Sequence, residues 1–225
     1  MRAIRLSTGA VLAALLLSLT ACVPATNPVV SASPTPTPTL EPTAEPTAAA
    51  VTSIEITTLS LDVYSDDTMT DSWLHADRNP AEITALTEYF GTEPTVSSDT
   101  RPGEGADSTY EIQSWPGFEI RYIVSEFGPR GFFITATAAT VGGVPIRAAG
   151  GVQVGDDLQA LAASDPTAAS TVPTPDGDLF RVKVDQIPVD SEGFDGPAAD
   201  FVAVQSLEPF TTVTTIRAPV SNYGL

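Results

Sequence analysis

The chain has 225 residues, with 28 Asp and Glu against 10 Lys and Arg, one His, one Cys and a formal net charge of −18 at pH 7. A surface this negative repels phosphate backbones and anionic headgroups, which argues against nucleic-acid binding and against a body lying flat on a membrane. A single histidine and a single cysteine leave too few ligands for an ordinary zinc site and rule out a disulfide framework within the chain.

The chain opens with Arg2 and Arg5, continues in an apolar run from Ala10 to Leu19, and reaches Cys22 through the small residues Thr20 and Ala21. The apolar run is too short to span a bilayer as a helix, which takes roughly 20 residues, and has the build of an export signal. Leu19-Thr20-Ala21-Cys22 resembles the processing site of bacterial lipoproteins. That resemblance implies that residues 1–21 are a signal peptide, and that the Cys22 sulfur receives a diacylglycerol and becomes the new N-terminus. The protein is then expected at the cell membrane, lipid-anchored and facing the extracytoplasmic side. Two or more acyl chains hold firmly where one binds reversibly, at about 0.8 kcal/mol per buried CH₂. Use of one lysine, Lys183, against nine arginines, with much Ala, Thr, Pro and Gly, resembles surface lipoproteins of high-GC Gram-positive bacteria.

Residues 22–50 form the lipidated N-terminus and a linker. From Pro24 the tract has no aromatic residue and runs through Ser33-Pro34-Thr35-Pro36-Thr37-Pro38 and Glu41-Pro42-Thr43-Ala44-Glu45-Pro46. Such a composition cannot bury enough apolar surface to offset ordering entropy, so the sequence predicts a disordered tether. Extended as polyproline II at about 3.1 Å per residue it would reach roughly 80 Å. Every acidic residue lies after Leu40, and removal of Arg2 and Arg5 leaves eight cationic side chains in the mature chain.

Beyond residue 50 the pattern alternates between strands and two short helices. A strand is expected from Ser53 to Val63, then a helix from Pro80 to Phe90 with Ile83, Leu86 and Phe90 on one face. Strands are expected at Tyr110–Ser114, Phe118–Val124, Gly131–Ala139 and Val144–Ala148, and a second helix from about Asp156 to Ala163. Leu179–Ile187, Ala199–Leu207 and Thr211–Ala218 complete the set. Around Pro116-Gly117 the apolar residues fall on even numbers in both arms, so a single clean apolar face requires a three-residue turn that pairs Ile112 with Ile120.

Compared with itself at an offset of 70, the chain aligns Tyr110-Glu111-Ile112 with Phe180-Arg181-Val182 and Ile146-Arg147-Ala148 with Ile216-Arg217-Ala218. An internal duplication would account for this, with a first α+β repeat in 51–150 and a second in 151–225. The segment from Gly151 through Gly155-Asp156-Asp157 to Leu161 resembles the strand, glycine turn and helix opening of bacterial repeat domains of the β-lactamase inhibitor protein type. The resemblance implies an α+β fold of two tandem repeats, each a short helix packed on an antiparallel β-sheet, and a protein-binding sheet face.

No constellation for catalysis stands out. Ser72, His75 and Asp71 or Asp77 lie close in sequence, but no Gly-x-Ser-x-Gly elbow accompanies them, and His75 reads as a loop or surface histidine. The acidic stretch Asp62–Asp71 lacks the loop glycine and terminal glutamate of an EF-hand, Asp190–Gly196 is only a compact acidic turn, and both read as solvated charge. Trp73 and Trp115 read as core or hairpin residues rather than sugar platforms. No catalytic residue, metal ligand or cofactor is expected, and Cys22 is the one residue with an expected chemical role. The leading expectation is a noncatalytic lipoprotein that binds a macromolecular partner in the envelope; the alternatives are a small-ligand- or cation-binding lipoprotein and, third, a hydrolase. Metabolic labelling with an acyl precursor should mark the wild-type protein and leave Cys22→Ala unlabelled, and label retained by the variant would refute the anchor.

Overall fold

The computed structural model describes residues 50–77, 80–101, 108–124, 131–189 and 198–222. The signal, Cys22, the linker up to residue 49 and the acidic turn Asp190–Gly196 lie outside them. The stretch from Thr47 to Leu225 forms one compact unit.

Two sheets make most of it. The smaller has the order β3 (Thr68–Leu74), β2 (Ser60–Ser65), β1 (Ser53–Ile56), β9 (Val144–Ala148), β8 (Thr140–Val141). Its only parallel pair is β1 with β9, and the other neighbours are antiparallel. The larger is antiparallel throughout, in the order β10 (Ala169–Thr174), β11 (Gly177–Val189), β12 (Ala198–Leu207), β13 (Thr215–Asn222), β7 (Phe132–Ala136), β6 (Phe118–Val124), β5 (Ser108–Trp115), β4 (Thr95–Arg101). Helix α1 (Pro80–Phe90) precedes β4 and helix α2 (Leu158–Ser164) precedes β10.

The core is built by strand alternation. In the smaller sheet Ile54, Ile56, Leu61, Val63, Ile146 and Ala148 point inward and are buried, while Glu55, Asp62, Ser72 and Arg147 share the outer face. In the larger sheet Phe118, Ile120, Tyr122, Phe132, Ile134, Ala136, Ile216 and Val204 point inward. These residues form one buried cluster with Leu86 and Phe90 of α1, and each large apolar side chain contributes about 1.5–3 kcal/mol. Phe90 meets Trp115 and Phe118 edge-on, both at 5.4 Å between ring centroids. Glu82 of α1 is fully buried and accepts a hydrogen bond from the Tyr122 hydroxyl. Helix α2 is capped by Asp157, whose carboxylate accepts from the Ala160 N–H at 2.9 Å, and it buries Leu158.

This architecture corrects the α+β tandem-repeat expectation. The described chain is 60% strand and 13% helix, with sheets of five and eight strands and only two α-helices. The strands absent from the sequence reading explain the error. β3, β4 and β10 are all sheet edges; β3 and β4 are polar and largely exposed, and half-buried β10 carries no alternation of apolar and polar residues in its sequence. The expected strand Ser53–Val63 is two strands joined by a turn at Thr57–Leu59, and the segment from Gly151 to Val154, which the resemblance cast as a strand, forms none and leads out of the 3₁₀ turn Ala149–Gly151. The two copies of Ile-Arg-Ala fall in different sheets, in β9 and in β13, so they are not equivalent in the fold.

The hairpin expectation fails as well. Ile112 pairs with Arg121 and Trp115 with Phe118, leaving a two-residue loop of Pro116 and Gly117. Gly117 does have positive φ, +86°, the conformation that the second central residue of a type II turn requires. The premise was at fault: one clean apolar face on β5 is not what the fold builds. Trp115 and Gln113 point into the core, and Ile112 is buried on the opposite face of the sheet.

Gly142 and Gly143 close the β8–β9 hairpin with positive φ at both positions, +58° and +87°, as a tight primed turn demands. A Cβ at Gly142 would sit 2.3 Å from the carbonyl oxygen of Phe90, whereas one at Gly143 meets nothing. Gly142→Ala should therefore cost at least about 2 kcal/mol in urea unfolding, and Gly143→Ala only about 1. Equal losses would show that the hairpin does not press on the end of α1.

Candidate functional site

The larger sheet buries one face in the core and opens the other. Register assigns residues to that open face without ambiguity. Ser114, Glu119, Thr135, Arg217, Ala203 and Lys183 form one row of paired neighbours running from β5 to β11. Adjacent rows place Thr215, Gln205 and Arg181 to one side, and Ile112 and Arg121 to the other. Asp99 and Arg101 of β4 pair with Tyr110 and Ser108, which carries them onto this face too.

The consequence is a concentration of positive charge in an acidic chain. Of the eight Lys and Arg that follow Cys22, five (Arg101, Arg121, Arg181, Lys183 and Arg217) project from this one face. A depression of about 600 Å³ opens there, lined by Arg101, Arg121 and Arg217, by Glu119, and by Ser114, Thr135, Thr137, Thr215 and Gln205.

The acidic residues present balance only part of that charge. Asp99 lies 3.0 Å from Arg101 and 3.8 Å from Arg121, and Glu119 also pairs with Arg121. No carboxylate among the described residues comes within ion-pairing distance of Arg217. Desolvation, followed by the charges of Arg121 and Arg101, holds Arg217 below the usual arginine range, against a smaller opposing pull from Glu119. Arg181 is lowered by desolvation and then by Arg217. Arginine stays protonated throughout the physiological range, so these shifts mark cations crowded by cations rather than groups poised to titrate.

Beneath them the face is firm. Phe201 is fully buried on this side of the sheet, with the Arg181 guanidinium 5.8 Å and the Lys183 ammonium 5.3 Å from its ring centre. Arg101 lies 5.6 Å from the Tyr110 ring centre, and the Arg181 Nε donates to Gln205 Oε1 at 3.4 Å. Guanidinium groups held over rings have surrendered part of their freedom before any ligand arrives.

The residues weighed for catalysis do not converge. Ser72 donates to the buried Asp62 at 2.6 Å, and Asp71 accepts from the Tyr89 hydroxyl at 2.8 Å. His75 follows β3 in a turn but is buried, at 5% exposure, so the surface assignment is corrected. Its Nε2 lies 3.0 Å from the Thr57 carbonyl and therefore donates, its Nδ1 has no partner among the described residues, and its ring meets Phe132 edge-on at 4.9 Å. The stretch Asp62–Asp71 is the β2–β3 hairpin rather than an open loop. Among the described residues no three His, Cys, Asp or Glu side chains gather as a metal site would require. Trp73 and Trp115 are both buried in the core cluster. No described helix is long and apolar enough to cross a membrane.

No protein-family model, no curated protein and no solved structure matches this chain.

Sequence reasoning passed over the arginine face. Its members stand up to 116 positions apart in the chain, from Arg101 to Arg217, and only strand order assembles them. One local signal existed: Arg181 and Lys183 sit two apart in a strand and so share a face.

Burial pushes the His75 imidazole down from 6.5 to about 4, with the Thr57 carbonyl and then Asp62 opposing. The neutral ring's contribution is therefore complete above pH 6.5 and is lost as pH falls toward 4, on the order of 3 kcal/mol in all. His75→Gln keeps a donor but cannot take up a proton. The gap in unfolding free energy between wild type and His75→Gln should shift against the wild type by about that amount from pH 7 to pH 4. A gap independent of pH would refute the assignment.

Proposed function

We propose that the protein is a lipid-anchored, noncatalytic lipoprotein of the extracytoplasmic membrane surface that binds a ligand on the open face of its eight-stranded sheet. The motif Leu19-Thr20-Ala21-Cys22 and the Pro/Thr tract that follows support the anchored, outward display. The observation that carries the binding role is the arginine-lined depression, a concentration of unbalanced positive charge that a chain of net charge −18 has no structural need to build.

Two kinds of ligand fit a noncatalytic lipoprotein: a macromolecular partner in the envelope, or a small molecule. The depression favours the second, because about 600 Å³ lies within the usual 300–1,000 Å³ of small-molecule sites and its lining is polar and convergent. A cation is the wrong charge for this face.

The mature domain has no cysteine beyond Cys22, so introduced cysteines report cleanly. Met69 of β3 is exposed in the smaller sheet, and Thr137 is exposed at the depression. On intact cells, a membrane-impermeant maleimide should label Met69→Cys as fully as it does the purified protein, and should label Thr137→Cys several-fold less than the purified protein. Absence of label on Met69→Cys would overturn the outward display, and full labelling of Thr137→Cys would overturn an occupied face.

A further inference from the structure

We propose that the depression takes a small hydroxylated organic anion bearing one phosphate or carboxylate group, with Arg217 and Arg121 on the anionic group and the threonine hydroxyls and Gln205 on the remainder. The inference rests on the binding role argued above and names the chemistry of the ligand.

Three observations lead to it. First, the face is incompletely neutralised. Asp99 and Glu119 engage Arg101 and Arg121, while Arg217 lies in the row beside Thr135 with no carboxylate in reach among the described residues. The three guanidinium groups of the lining face Glu119 within it and Asp99 beside it, which leaves an excess of one positive charge before Arg181 and Lys183 of the same face are counted. A ligand of one or two negative charges matches that excess, and a cation or a neutral sugar does not. Guanidinium groups present paired N–H donors in a plane, which suits the two oxygens of a carboxylate or phosphate.

Second, the crowding of Arg217 by Arg121 and Arg101 is an unfavourable interaction already present in the folded chain. An anion between them relieves it. Third, apart from the turn residues Trp115, Gly117 and Phe118, two of whose side chains are buried in the core, the uncharged lining consists of hydroxyls and an amide, from Ser114, Thr135, Thr137, Thr215 and Gln205. These groups donate and accept hydrogen bonds at short range, and they suit a polyol better than an alkyl or aryl body. The size of the depression limits the ligand to a small molecule or the end unit of a larger one.

Calorimetric titration of the full mature chain with glucose 6-phosphate, glucuronate and glucose tests the proposal. Saturable binding of at least one of the two anions is expected, with glucose at least tenfold weaker. Binding of the phosphate alone identifies a phosphate ester as the ligand group, and binding of glucuronate alone a carboxylate. Arg217→Gln and Arg121→Gln should each weaken the bound anion at least tenfold, while Arg147→Gln, in the other sheet beside Glu55, should leave it unchanged. Thermal unfolding without ligand identifies any variant that fails by misfolding, in which case Arg217→Lys takes its place, keeping the charge and losing the planar fork. No binding of either anion at 10 mM, equal binding of glucose, or loss of affinity in Arg147→Gln equal to that in Arg217→Gln would overturn it. Protection of Thr137→Cys in cells together with failure of both anions would sink the ligand class while leaving the binding face standing.

Discussion

The two-residue turn at Pro116 and Gly117 governs which residues of half the larger sheet face the core. Because Trp115 pairs with Phe118, Trp115 and Gln113 point inward, and Trp115 packs on Phe90 of α1 at 5.4 Å. The parity of β4 follows from that of β5, so Asp99 and Arg101 point outward, where Asp99 reaches Arg121 at 3.8 Å. A slip of one residue would expel Trp115 from the core and withdraw Asp99 and Arg101 from the open face together. A glycine is required at the turn on two counts, its φ of +86° and the 2.4 Å that would separate a Cβ from that of Ala138. Core and open face therefore depend on the same local geometry.

The outer faces of the two sheets resolve their charges differently. On the smaller sheet Arg147 and Glu55 are cross-strand partners, 2.9 Å apart, with Tyr64 beneath the guanidinium and Ser72 donating to Asp62 in the next pair. The cation of that row has a carboxylate beside it. On the larger sheet the carboxylates are displaced toward β4 and β6, and the cations of β11 and β13 are left to one another, to Gln205 and to the Phe201 ring. Partly exposed ion pairs contribute little to stability, of order 1 kcal/mol or less. The crowding of Arg217 and Arg181 by neighbouring cations and by burial is the larger cost on this face, and it is one that a bound anion would offset.

Much of the fold was legible where a strand is covered on one face only. β7, β9 and β6 as far as Ile123 alternate between buried and half-buried positions, and the sequence of β6 displays that alternation directly. α1 was legible from its proline start and apolar spacing. The edge strands were not, because Thr95–Arg101 and Ala169–Thr174 are held by a single neighbour and need no apolar face to stay in place. The turn at Gly117 was misread because Ile112 and Tyr110, apolar and aromatic, belong to the open face, where Ile112 is as hidden as a core residue at 7% exposure. His75 was misplaced for a related reason: a turn that packs against Phe132 is buried, and polarity alone gives no sign of it. The arginine face required the strand order, which no local pattern encodes.

The eight cations and 28 acids that follow Cys22 also act at different ranges. Within about a Debye length of the surface, roughly 8 Å at physiological ionic strength, an approaching anion meets the repulsion of the net negative chain; in contact with the depression, the arginines dominate. A long polyanion must keep many charges in the outer field while one sits in the depression, whereas a compact anion leaves it entirely on entry. Added salt weakens the outer barrier before it weakens the inner contacts. Association of a small anion should therefore quicken with moderate ionic strength, the reverse of ordinary charge steering, and the acidic body works as a filter by size for the basic face it surrounds.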